Sequence, residues 1–149
     1  MDFSTVVSYE QEFPVKLLHP VTGEETGVVF NIVSFESAAV VKAMKKLEAE
    51  RWQAVFANED QKLTPEQFAE FNEKMAIEQV VSSVASWDWG GNEFAGLGED
   101  AECTDANKRL VIEHPNSKWI RDQLIARGND LGNFSQASVK NSARSSKRK

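Results

Sequence analysis

Two short runs near the start of the chain, "FPVKLL" and "TGVVFNIV", alternate apolar and polar residues, the period of a half-buried β-strand. Phe13, Val15 and Leu17 share one face of the first; Val28, Phe30 and Ile32 share one face of the second. Between them "HPVTGEE" carries Pro20 and Gly23, both turn formers. The pair predicts a β-hairpin, and a hairpin constrains the rest of the chain. Alone it is marginal in water, so other segments must cover its apolar face.

Helices are the available cover. From Ser34 or Ser37, either a good N-cap, "SFESAAVVKAMKKLEAERWQAVF" sets Val40, Met44, Leu47 and Val55 at helical spacing. Trp52 and Phe56 widen that stripe, while Lys45, Glu48 and Arg51 face water. "LTPEQFAEF" opens a second helix: Thr64 caps it, Pro65 takes the first helical position, and Gln67 completes a capping box. This helix is expected to reach about Ala85, with Phe68, Phe71 and Met75 as its early stripe. Ile77, Val80, Val81 and Val84 continue that stripe.

Further on, Thr104 caps the short helix "DANKRLVI", which His114-Pro115 stops. Asn116 or Ser117 caps a last helix bearing Trp119, Ile120, Leu124 and Leu131, and Gly128 and Gly132 predict fraying at its end. The expected fold is α+β and mainly helical, with an N-terminal hairpin packed on two long helices. Its parts are a body over residues 1–85, a Trp/Gly-rich joint over 86–103, a helical pair over 104–134, and a disordered basic tail over 135–149.

The joint, "SWDWGGNEFAGLGED", invites chemical readings that fail on spacing. Asp88 and Glu99 stand where an EF-hand loop has its first and last ligands, but Gly90 fills the third position and Glu93 the sixth, where glycine is needed. The glycines at 96 and 98 do not make a phosphate loop, since Glu99 and Asp100 repel an anion and no Walker lysine follows. His19 and His114 each adjoin a proline in a turn, and with Cys103 they do not supply a zinc site. No metal, no cofactor and no catalytic group is therefore expected, and the chain does not read as an enzyme. Glycines at 90, 91, 96 and 98 suit a segment that crosses between folded parts, with Trp87, Trp89, Phe94 and Leu97 pinning it.

Charge narrows the partners. Residues 1–134 hold 12 basic and 23 acidic side chains, net −11, while the last fifteen residues hold five basic ones and no acid. A body of that sign repels nucleic acid and anionic membrane and suits a basic partner. The N-terminus lacks the basic start and apolar run of a signal peptide, no stretch is apolar enough to span a membrane, and a single cysteine suits a reducing compartment.

The order of these features resembles the small tail assembly chaperones of long-tailed bacteriophages. The likeness spans most of residues 13–134 and is strongest from 86 onward. It rests on a tryptophan at the joint (Trp87 or Trp89), Thr104 with Leu110, the run Ile120-Arg121-Asp122-Gln123, and Phe134. The tandem "WDW" and the glycine-rich loop depart from the pattern. The resemblance implies a non-enzymatic protein of the host cytoplasm, absent from the mature virion, that binds the tape-measure protein, keeps it soluble and helps recruit tail-tube subunits. A longer product made by frameshifting, and self-association, are left open. Trp89, Phe94, Trp119 and Leu124 are the expected partner contacts. Two rivals stand beside it: a structural tail component retained in the virion, and a nucleic-acid-binding accessory acting through the basic tail.

Overall fold

A computed structural model describes residues 1–135. Strands β1 (Phe13–Leu18) and β2 (Glu25–Ile32) form the expected antiparallel hairpin, with Val15 paired to Phe30 and Phe13 to Ile32. Val15, Leu17, Val28, Phe30 and Ile32 are all buried, as their alternation requires. His19 closes the turn, its Nδ1 accepting from the Val21 and Thr22 backbone N–H groups at 3.2 Å each.

Helix α1 (Ala38–Ala57) and helix α2 (Pro65–Ser83) come next, and the α2 capping box is present in full. Ser37 occupies the N-cap position of α1 without capping it: its hydroxyl is buried and unpartnered. Glu10 takes over that task from 28 residues away, its Oε1 accepting from the Ala38 N–H at 2.8 Å. A carboxylate there also answers the positive end of the helix dipole.

Helix α2 ends at Ser83 rather than Ala85, and the chain passes directly into a third strand, β3 (Val84–Asp88), which pairs antiparallel with β2. The joint is thus not a bare linker: its first residues complete a sheet of order β1-β2-β3. Asn31 and Ser86 fasten the new pair through an Nδ2–H···Oγ bond of 2.9 Å. Beyond β3 the chain folds back on β2. Gly90 has φ +57, and a Cβ there would lie 2.3 Å from the Gly27 carbonyl oxygen, so only glycine permits this approach. Asn92 locks the crossing by donating to the Thr26 and Trp89 carbonyls at 3.1 and 2.9 Å.

Helix α3 (Asp105–Ile112) carries the Thr104 cap, its Oγ1 accepting from the Asn107 N–H at 3.2 Å. Helix α4 (Lys118–Gly128) lies against β1 and α2. Ser117 again declines to cap; its Oγ donates back to the Ile112 and His114 carbonyls, tying the end of α3 to the start of α4. Gly128 is buried rather than frayed, because the Phe35 ring lies directly over it. Leu131 falls in a 3-10 turn after α4 and is exposed, while Phe134 is fully buried.

One hydrophobic core runs through the described residues from Val15 to Phe134, so the helical pair helps to bury the sheet instead of forming a unit of its own. Ser135 bridges to Val7; the rest of the segment expected to be a disordered tail lies outside the described residues.

Candidate partner-binding surfaces

The aromatic joint is a packed cluster. Phe30 meets Trp87 and Trp89 at ring-centroid distances of 5.6 and 5.5 Å, and the two tryptophans meet edge to face at 5.4 Å. Phe94 extends the cluster to Trp89 at 6.1 Å and to His114 at 5.1 Å. The Trp87 indole N–H donates to the Ala101 carbonyl at 2.8 Å, whereas that of Trp89 is buried without a hydrogen-bond acceptor.

Of the four residues expected to touch a partner, Trp89 and Phe94 meet in this cluster, Trp119 and Leu124 lie on α4, and all four belong to or pack against the one core. Trp89 is 3% exposed and Leu124 0%. Both are core residues that present no side chain to a docking protein. Phe94 and Trp119 are half-buried against the same core.

Arg109 joins α3 to α2. Its guanidinium makes a two-pronged contact with the Glu78 carboxylate and a second bond, Nε–H to Asp105 Oδ2, of 2.8 Å. These bonds hold its pKa above the ordinary arginine value. Beside this network an open groove of about 390 Å³ runs between α1, α2 and α3, with Ala43 and Leu47 among its apolar lining and Lys42, Lys46 and Lys74 at its edge. Arg109 and Lys74 already face acids, so the groove offers mixed charge rather than a concentrated anion site.

The largest departure from the sequence reading lies at the far end of the α1–α2 hairpin. Trp52 and Phe56, expected to widen the buried stripe of α1, are 51% and 68% exposed and stack on each other at 5.8 Å. Phe68, at the start of α2, is 54% exposed. Asn58 bonds to Gln67 at 2.8 Å, so both helix ends share one tip. The exposure was written in the sequence at the helical step of about 100° per residue. On that wheel Leu47, Met44 and Val55 fall within about 60° of Val40, but Trp52 and Phe56 stand about 120° and 160° away.

Among the described residues no three of His, Cys, Asp and Glu converge as metal ligands, and no helix is long and apolar enough to cross a membrane. Asp88 is used locally, its Oδ1 accepting from the Gly90 N–H at 2.9 Å. No protein-family model, curated protein or solved structure matches the chain.

Proposed function

We propose that this chain is a tail assembly chaperone of a long-tailed bacteriophage, acting by holding the helical tape-measure protein in solution. The observation that carries the reading is the stacked, solvent-facing pair Trp52–Phe56 with exposed Phe68 on the same hairpin tip. Tryptophan and other large aromatics are the side chains that supply most energy at protein interfaces, and leaving three in water is costly unless a partner covers them. The acidic body around them supports the same reading, because it keeps a complex with an aggregation-prone helix soluble. Helical hairpins present apolar rows that another helix can pack against, and repeated copies along one long partner would add avidity to modest single contacts.

In this reading the protein acts in the host cytoplasm, helps bring tail-tube subunits to the tape measure, and leaves before the particle matures. Co-expression with the tape-measure protein tests it: the tape measure is expected to become soluble and to co-purify, and mass spectrometry of mature virions should lack this chain. A tape measure that stays insoluble, or a chain retained stoichiometrically in particles, overturns the reading; the second result would favour a structural tail component.

A further inference from the structure

We propose that the tip of the α1–α2 hairpin is a docking surface for a basic amphipathic helix, with Trp52, Phe56 and Phe68 as its apolar contacts. The proposal rests on the reading of this chain as the holder of a helical partner. It adds which face does the holding and which segment chemistry that face accepts.

Shape favours a helix as the occupant. Trp52 and Phe56 are four residues apart on α1, so their stacked rings form a ridge of the kind that seats between successive turns of another helix. Phe68 stands in the first turns of α2, whose start is tied to the end of α1 by the Asn58–Gln67 bond, and adds a third exposed aromatic to the same end of the hairpin.

Charge selects the sign of the partner. Glu59 and Asp60 in the turn between the helices and Glu66 and Glu70 in the first turns of α2 are exposed and make no ion pair among the described residues. Between residues 52 and 73 the only cation is Lys62. Lysine or arginine flanking an apolar stripe would meet these acids, whereas like charges placed across an interface cost several kcal/mol. A second copy of the chain would set acid against acid, and nucleic acid or an anionic bilayer would be repelled in the same way.

Three labelled peptides of about five helical turns decide the matter by fluorescence anisotropy with the full chain. One is a Leu/Lys amphipathic helix, one replaces each Lys by Glu, and one replaces each Leu by Ser. The Leu/Lys peptide is expected to bind at least about tenfold more tightly than either control. The Trp52→Gln/Phe56→Gln variant should weaken it by about tenfold or more with an unchanged circular dichroism spectrum, and Glu66→Lys/Glu70→Lys should move the preference toward the Leu/Glu peptide. Phe68→Gln, on the other helix, serves if the double variant loses its fold.

Equal binding by the native protein and a folded tip variant overturns the proposal, as does equal binding of the Leu/Lys and Ser/Lys peptides. If those results appear while the tape-measure protein still co-purifies, the docking surface fails and the chaperone reading stands. Selective peptide binding without tape-measure capture sinks the chaperone reading and keeps the surface.

Discussion

Gln123 on α4 meets the Leu18 backbone on β1 as a neighbouring strand would. Its Nε2–H donates to the Leu18 carbonyl at 2.8 Å, and its Oε1 accepts from the Leu18 N–H at 2.9 Å. β1 is an edge strand, and its unpaired backbone would otherwise be open to another chain. Pro14, which has no N–H, and exposed Lys16 guard the same strand. Gln123→Ala should cost about 1 kcal/mol in urea unfolding, the usual loss for such bonds where water can replace them. Gln123→Glu should be no better at neutral pH, because a carboxylate cannot donate to the carbonyl. An unchanged midpoint for both variants would remove the strand-mimic role.

Gly128 lies under Phe35, and a Cβ at that position would fall 2.4 Å from the ring. Phe35 is 7% exposed and cannot swing freely into solvent. Gly128→Ala should therefore destabilise by about 1–3 kcal/mol, the range for overpacked cores, despite the higher helix propensity of alanine. Adding Phe35→Leu should return part of the loss. If Gly128→Ala alone stabilises the protein, the close packing is not maintained in solution.

What the sequence could reveal divides along the distance over which each signal acts. The hairpin, the Thr64 capping box and the Thr104 cap depend on residues close together in the chain, and all three appear as read. β3 was hidden because no glycine or proline separates Ser83 from Val84, and its fastening partner Asn31 lies 55 residues from Ser86. Glu10 as the cap of α1 and Phe35 as the cover of Gly128 are likewise long-range choices, invisible to any local pattern. At the site, composition pointed to the aromatic joint, yet tryptophans there are drawn into the core by Phe30. The exposed pair on α1 is a local feature after all, since its angular offset from Val40 follows from the helical repeat alone.

Arg109 is the main ionic tie between α2 and α3. Glu78 side-chain exposure is 19%, so removing the guanidinium would leave a carboxylate poorly hydrated. Arg109→Ala should cost about 1–3 kcal/mol. Arg109→Lys should recover only part of this, since a point charge cannot hold Glu78 through two parallel bonds while reaching Asp105. A lysine variant as stable as the native chain would argue against the two-pronged geometry.

Cys103 gives a pH-dependent readout. Burial raises its thiol pKa above the ordinary value, and nearby Lys108 offsets this only in part. The folded state thus favours the protonated thiol. That contribution to stability is present below the unfolded-state pKa and is lost as pH rises through the higher folded value. Alkylation by iodoacetamide at about pH 8 should be slower in the native protein than in urea, with a rate that climbs as pH rises. Equal native and denatured rates across that climb would show an unburied, ordinary thiol.

Stability and exposure should separate sharply at the hairpin tip. Trp52→Gln and Phe56→Gln each remove a side chain already mostly in water, so unfolding free energy should change by only about 0.5 kcal/mol. Val55 sits between them in sequence but is 9% exposed, and Val55→Ala should cost about 1.5–3 kcal/mol through lost burial and the cavity left behind. Urea titrations of the three variants measure the contrast directly. Should the Trp52 or Phe56 change destabilise as much as Val55→Ala, these rings are structural, and the tip is not a surface held open for another chain.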